Sequence, residues 1–361
     1  MKETESKSTY DLSKTDPKCA EWMDDCIRRL YNLKVSPENS IASIMSIDEI
    51  TAILRLIEPI LMEENSLLEV QAPIKIIGDL HADFDNLMRL FGLIGKVPKE
   101  KLLFLGNYVD MGMDGIEVTM MLFCLKIRYR DRIFLLRGNH ETPAVNKIYG
   151  FYAECDYKYG VGVWWDFQCC FNRLPMACLI SQKVLCMHGG LSPELTTLNK
   201  IRSIERPNEP ISSGLEMDLL WADPTNRGDG WFQSYRGISY LFGKQIVEQA
   251  CKRLKITLII RSHMVISDGF EVMTGRRLIT VFSASNYAGT VHNSAAVLCV
   301  NEKLGVSFYG PIHKVTHQKL TPISFPSHPS QITLPTTPLT ADLDSAIANY
   351  DMKIVKRFVK F

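Results

Sequence analysis

Residues 101–112 read KLLFLGNYVDMG. An apolar run that stops at a glycine is the end of a buried strand, so Asn107 and Asp110 fall in a turn at a sheet edge. The pattern returns at residues 133–141, IFLLRGNHE, where Arg137, Asn139, His140 and Glu141 follow the run. Three further apolar runs are also followed by polar residues, one of them after a glycine: IKIIGDLHAD places Asp79 and His81 in one turn, VLCMHGG gives His188, and TLIIRSH gives His263. Strand ends of an α/β sheet can meet at one crevice, which is where ligands bind in such folds.

The residue types point to metal chemistry. Carboxylate, imidazole and amide oxygen together suit first-row divalent ions, and a set without thiolate disfavours structural zinc. Asp79, His81, Asn107, Asn139, His188 and His263 exceed the needs of one tetrahedral ion and fit two ions sharing a bridge. Two ions roughly 3.5–4 Å apart would clamp a phosphoryl group and activate a water. Singly, each residue has a plainer explanation: His188 as a core histidine, Asn139 as turn chemistry, Asp79 as the cap of a helix starting near Asp83. Five strand ends supplying such residues in succession favour a site.

The bulk numbers set limits. The 361 residues are 46% hydrophobic and 22% charged, a globular composition with room for one large domain or two ordinary ones. The net charge of +1, from 41 basic and 40 acidic residues, argues against a nucleic-acid partner. No apolar run reaches the ~18 residues of a membrane span, and the polar N-terminus lacks the apolar segment of a signal peptide. The ten cysteines form no CxxC pair, and Cys124, Cys178, Cys186 and Cys299 lie inside apolar runs, as buried reduced thiols do. The expectation is a soluble protein of the cytoplasm and/or nucleus, without a membrane partner.

Along the chain, residues 1–18 read as a disordered extension and 19–310 as the body, with a helical lead-in over 19–70. There Trp22, Cys26 and Leu30, then Ile50, Ile53, Leu54, Ile57, Ile60 and Leu61 recur at helical spacing. From Pro73 short apolar runs at 74–77, 102–105, 133–136, 184–187, 257–260, 278–282 and 295–300 alternate with helical patterns, which argues α/β. The later runs lack intervening helices and are expected to pair antiparallel. Residues 311–341 are a Pro/Ser/Thr-rich linker, and 342–361 carry one apolar helical stripe.

The ordered segments GDLHADF, LFLGNYVDMG, LLRGNHE, HGGLSP, LLWADP, YRGISYLFG, RSHMVISDGF and FSASNYAG resemble the signatures of the metallo-dependent serine/threonine protein phosphatases, most of all the protein phosphatase 1 catalytic subunits. The resemblance spans about residues 20–310. It implies a calcineurin-like α/β fold, two mixed sheets in a sandwich flanked by helices, with a dinuclear centre of manganese, iron or zinc type. One ion would take Asp79 and His81, the other Asn139, His188 and His263, and the bridging position falls on Asn107. His140 matches the general acid, oriented by Asp110; Arg236, Asn139, Tyr287 and Arg137 fall in the phosphate- and substrate-binding group.

Two departures touch the chemistry. The family's turn reads GDYVDRG; this chain has Asn107 for the first Asp and Met111 for the Arg. A carboxylate bridges two cations with anionic oxygens, whereas an amide offers one neutral oxygen. Losing a guanidinium on the phosphate removes on the order of 3 kcal/mol of transition-state stabilisation. Ala82 and Asp83 stand for Gly-Gln after the first histidine, and AGTVHN stands for CGEFDN near Tyr287. Two readings stay open: a working phosphatase with a weakened metal centre, or a pseudophosphatase that binds phosphoproteins or regulatory subunits without turnover. A nucleotide or nucleic-acid phosphoesterase fits the signatures and the charge less well.

The resemblance also implies a groove that docks Arg/Lys-x-Val-x-Phe segments of regulatory subunits as an added strand. The matching positions are Val184, Leu258, Val272, Ile279, Val281, Leu298, Leu304, Val306 and Phe308, all of which a strand-rich core would also explain. The last five residues, Arg357 to Phe361, fit the docking form, so the tail is a candidate for its own groove.

Overall fold

The computed structural model describes residues 16–36, 38–210, 212–312 and 323–324. The stripe at 342–361, with its docking-like end, and most of the 1–18 and 311–341 segments lie outside the described residues. The first helix, Pro17–Asn32, begins inside the segment expected to be disordered, with a proline in its first turn and the Asp16 carboxylate accepting from the Lys18 amide. The lead-in continues with Ile47–Glu63, opened by a reciprocal capping box between Ser46 and Glu49.

Two six-stranded sheets form the centre. One runs in the order Leu67–Val70, Ala177–Ile180, Val184–Met187, Leu258–Arg261, Leu278–Val281, Phe270–Met273. The other runs Ile323–Ser324, Val306–Ile312, Ala295–Val300, Ile74–Ile77, Leu102–Phe104, Ile133–Leu135. Period-two alternation assigns their side chains to layers. Ile77, Phe104 and Leu135 pack with the helices of the lead-in and Gly115–Arg128. Ile76, Leu103 and Leu298 face the other way and meet Leu68, Cys186 and Ile260 of the first sheet. The outer face of that sheet, through Leu67, Leu185 and Ile259, packs on helices Leu215–Trp221 and Lys244–Leu254. The layers are therefore helix, sheet, sheet, helix, as the resemblance implied.

One pairing departs from expectation. Leu258–Arg261 pairs in parallel with Leu278–Val281, because the chain first runs to the sheet edge as Phe270–Met273. It then reverses at Thr274–Arg276, where Gly275 has φ +55°, and two reversals restore the original direction. All ten cysteines are free.

Candidate metal and phosphate centre

The turns at 106–110 and 137–141 are packed against each other. A Cβ added to Gly106, at φ +106°, would meet Gly138 N at 2.3 Å, and one added to Gly138 would meet Asn107 N at 2.4 Å, so only glycine fits either position. Glu141 ties the turns together: its carboxylate accepts from the amides of Asn107 (2.8 Å), Tyr108 (2.8 Å) and Gly138 (2.9 Å). Burial pushes Glu141 up to about 7 against these hydrogen bonds.

His81, Asn107, Asp110, Met111 and His263 all adopt left-handed backbone, with φ between +47° (His81) and +70° (Asp110). Non-glycine residues rarely do so, and such strain persists where surrounding structure imposes it. It lets each chain reverse at once after its strand and present its side chain to the crevice. The resulting cleft, about 110 Å³, is lined by Asp79, His81, Asn107, Asn139, His140 and His263, with Met111, Arg236, Tyr287 and Trp221 at its walls.

One group of donors converges. His188 Nδ1 donates to the Leu105 carbonyl (3.0 Å), which leaves its Nε2 lone pair directed inward, 2.9 Å from Asn139 Oδ1 and 3.2 Å from His263 Nδ1. Burial pushes His188 down to about 4 and His263 well below the usual imidazole range, so both are neutral. Two imidazole nitrogens and an amide oxygen around one point, with His188 oriented by a backbone carbonyl, fit a divalent cation.

The other group fits less well. Asp79 Oδ2 lies 3.1 Å from His81 Nε2, and Asp79 Oδ1 accepts from Ser262 Oγ and from the His263 amide (3.0 Å). Burial raises the Asp79 pKa, but His188, His81 and Ser262 outweigh it and hold the carboxyl below its ordinary range. Asn107 sits between the groups, and its orientation is set by a donor that cannot change: the His140 backbone N–H points at Oδ1 (3.1 Å). The amide nitrogen must then face the carboxylate, and Nδ2 donates to Asp79 Oδ2 at 2.9 Å. An amide NH₂ has no lone pair for a metal, so in this orientation only Oδ1, with the lone pair that His140 leaves free, can serve the ligand role expected of Asn107. Among the described residues no cluster of three or more His, Cys, Asp or Glu has metal-binding form. Asn139, His188 and His263 supply three converging donors for one ion, and Asp79 and His81 two for a neighbour.

The acid and phosphate groups are placed around these donors. His140 Nδ1 meets Asp110 Oδ2 at 2.6 Å, and Asp110 Oδ1 accepts from the Phe151 amide, fixing the dyad. Burial lowers the His140 pKa and Asp110 opposes it. Arg236 lines the cleft with its Nε held by Asp223 Oδ2 at 2.7 Å; Asp223 Oδ1 accepts from the buried Arg261, also at 2.7 Å. Sequence reading missed Asp223, Arg261 and Ser262, although each lies inside a quoted segment. Tyr287 packs beside His81, ring centroids 4.8 Å apart. Asp83, not Asp79, caps helix Phe84–Ile94.

Arg137 is a correction. It is fully buried, and its guanidinium donates to Glu141 O (3.0 Å), Asn208 O (2.7 Å) and Asn172 Oδ1 (2.6 Å). Burial pushes it down to about 10. It braces the turn from behind and does not line the cleft. The nine groove positions gather in the layer between the sheets: Val184, Leu258, Ile279, Val281, Leu298 and Phe308 are buried, and Val272, Leu304 and Val306 are half-buried at its rim.

Comparison with known proteins agrees with this geometry. Residues 72–267 match the family model described as calcineurin-like phosphoesterase. A Caenorhabditis elegans protein provisionally named a serine/threonine-protein phosphatase is 58% identical over 353 residues, covering 98% of this chain and 94% of its own. Serine/threonine-protein phosphatase PP1-delta of the same organism is 41% identical over 295 residues, covering 81% and 96%. Among solved structures, a Saccharomyces cerevisiae protein serine/threonine phosphatase with similarity to human phosphatase PP5 superposes with a TM-score of 0.72 at 34% identity, over 77% of this chain and 93% of that one. A cold-active protein-tyrosine phosphatase of Shewanella shares the fold alone, with a TM-score of 0.54 at 15% identity. This chain belongs to the calcineurin-like phosphoesterases, among their metal-dependent serine/threonine protein phosphatases.

Proposed function

We propose that the protein hydrolyses phosphoserine and phosphothreonine esters of protein substrates at a centre weakened on the Asp79–His81 side. The observation that carries this reading is the convergence of Asn139, His188 and His263 on one point beside an intact His140–Asp110 dyad. Divalent ions of manganese, iron or zinc type, when bound, would polarise the phosphate and an attacking water. The chain's own groups do the rest. Arg236, braced by Asp223, holds the phosphate. His140, its Nδ1 bound by Asp110, supplies the proton that the leaving serine or threonine oxygen needs, and Asp110 stabilises the imidazolium form. Tyr287 and Trp221 line the cleft. Regulatory subunits docking Arg/Lys-x-Val-x-Phe segments over Val272, Leu304 and Val306 would choose substrates, in the cytoplasm or nucleus.

A second reading, binding of phosphoproteins or subunits without turnover, is favoured by the Asn107–Asp79 hydrogen bond, which satisfies the carboxylate with a neutral donor. Phosphopeptide hydrolysis in excess Mn²⁺ separates the two. Turnover by the native chain above a His140→Phe control supports the enzyme. A silent native chain beside an active Asn107→Asp variant supports the binder.

A further inference from the structure

The turn that carries Asp79 leaves the second sheet after Ile74–Ile77 and is held by two serines that follow strands of the first sheet. Ser262 comes next after Leu258–Arg261 and Ser283 two residues after Leu278–Val281, and both are fully buried. Ser262 Oγ accepts from the Asp79 amide (2.9 Å), and Ser283 Oγ accepts from the Gly78 amide (2.8 Å). The fit is close, since a Cβ added to Gly78 would meet Val281 O at 2.2 Å and Ser262 Oγ at 2.6 Å. Both hydroxyls tie the sheets together at the crevice, but they direct their protons differently. Ser283 donates to Ala296 O (2.7 Å), away from the site. Ser262 has two acceptors in reach, Val281 O (2.7 Å) and Asp79 Oδ1. A hydroxyl carries one proton, and an ionised carboxylate is the stronger acceptor, so that proton goes to Asp79.

We infer that Ser262 is a positioning residue of the metal centre, holding Asp79 Oδ1 from behind so that Oδ2 alone faces His81 and an incoming ion. The His263 amide donates to the same Oδ1 (3.0 Å), so both lone-pair directions of that oxygen are taken. Oδ2 is left on the side of His81 Nε2 (3.1 Å) and Asn107 Nδ2 (2.9 Å). The Ser262 amide also donates to His188 O (3.0 Å), so this one residue is fixed to both donor groups. The inference rests on the two-ion reading of the site and adds to it the residue that orients its one carboxylate. Partners that orient a ligand from behind carry about 10–100-fold of metal affinity.

Ser283 supplies the control, because its removal also leaves a turn amide without its acceptor but does not touch the Asp79 side chain. Manganese is titrated into the full-length native, Ser262→Ala and Ser283→Ala chains, and free Mn²⁺ is followed by electron paramagnetic resonance. The native chain should take two ions, one tightly and one weakly. Ser262→Ala should weaken the second by about tenfold or more and leave the first near its native Kd. Ser283→Ala should leave both Kd values near native, although the melting temperatures of the two variants fall together. An unchanged second Kd in Ser262→Ala, or an equal loss in Ser283→Ala, overturns the positioning role while the two-ion reading stands. A native chain that takes only one ion at saturating manganese overturns both. Ser262→Cys keeps nearly the same volume and offers only a weak S–H donor, so it covers the case in which Ser262→Ala does not fold. It too should weaken the second ion, and a native Kd there overturns the role.

Discussion

Asn107 Nδ2 donates to Asp79 Oδ2 at 2.9 Å, while Asn107 Oδ1 accepts from the His140 amide at 3.1 Å. A carboxylate at this position would keep the second contact and turn the first into an oxygen lone pair aimed between the two donor groups. Asn107→Asp should therefore raise manganese content from about one to about two ions per chain. Even loss of a group supporting a ligand costs about 10–100-fold in affinity or activity, so phosphopeptide turnover should rise at least tenfold. Elemental analysis after gel filtration, with parallel rates, checks both, and unchanged stoichiometry would sink the idea.

The two arginines of the quoted motifs should behave oppositely. Arg236→Ala should lower kcat/KM for a phosphopeptide about a hundredfold, since it removes a preorganised donor to the phosphate, with a smaller loss of stability than at Arg137 because the buried Asp223 keeps Arg261 as its partner. Arg137→Met leaves the carbonyls of Glu141 and Asn208 and the Asn172 side chain without their donor. It should destabilise the fold by about 3 kcal/mol, a cost in the range of breaking a buried charged network. A normal melting temperature for Arg137→Met would restore it to the phosphate site.

His140 matters in proportion to the basicity of the leaving oxygen. His140→Asn should lower phosphoserine-peptide turnover by about 10²–10⁴, the usual weight of a general acid. The loss with p-nitrophenyl phosphate should be much smaller, because that leaving group departs without a proton. Equal losses on both substrates would mean that His140 holds the site together and is not its acid.

Glu154 should oppose stability as pH rises from about 4.5 to 7.5. Burial raises it to about 7, as it raises Glu141 to about 7 and Asp114 to about 6. A folded value above the unfolded one gives a contribution present below the unfolded value and lost as pH climbs through the folded one. The buried His140, His188 and His263, pushed down, act in the opposite direction, so the test is a difference between chains. Between pH 5 and 7.5, with a chelator present, the urea midpoint of Glu154→Gln should change more favourably with rising pH than that of the native chain. Equal changes in both contradict the assignment.

Ala82 has φ +54°, a backbone that an alanine adopts at a cost of about 1 kcal/mol. Ala82→Gly removes that strain, although it also loosens the unfolded chain. A gain of a few tenths to about 1 kcal/mol in chemical denaturation is expected. Destabilisation would show that the Ala82 methyl, near Gly112, packs usefully.

The sequence made the layers and the strand-end residues legible because buried strands are short apolar runs and each run ends where its chain must turn. Ile74–Ile77, Val184–Met187 and Ala295–Val300 fall on their apolar runs to the residue. Asp79, Asn107, Asn139, His188 and His263 meet because they follow their strands directly. Other features depend on which strands become neighbours, and local pattern does not encode that. The parallel pairing of Leu258–Arg261 with Leu278–Val281 depends on an edge excursion of the chain. Asp223 matters only because Arg261 and Arg236 flank it in space. Arg137 misled because motif position gives no side-chain direction: the same turn sends His140 into the cleft and Arg137 behind it.

The three amides gathered by Glu141 hold the separation of the two central turns through the backbone alone. Nothing in that arrangement waits for a cation to bring the turns together. These two turns therefore need no reordering when an ion binds, and Glu141→Gln, which weakens that tie, should lower metal affinity even though Glu141 is no ligand.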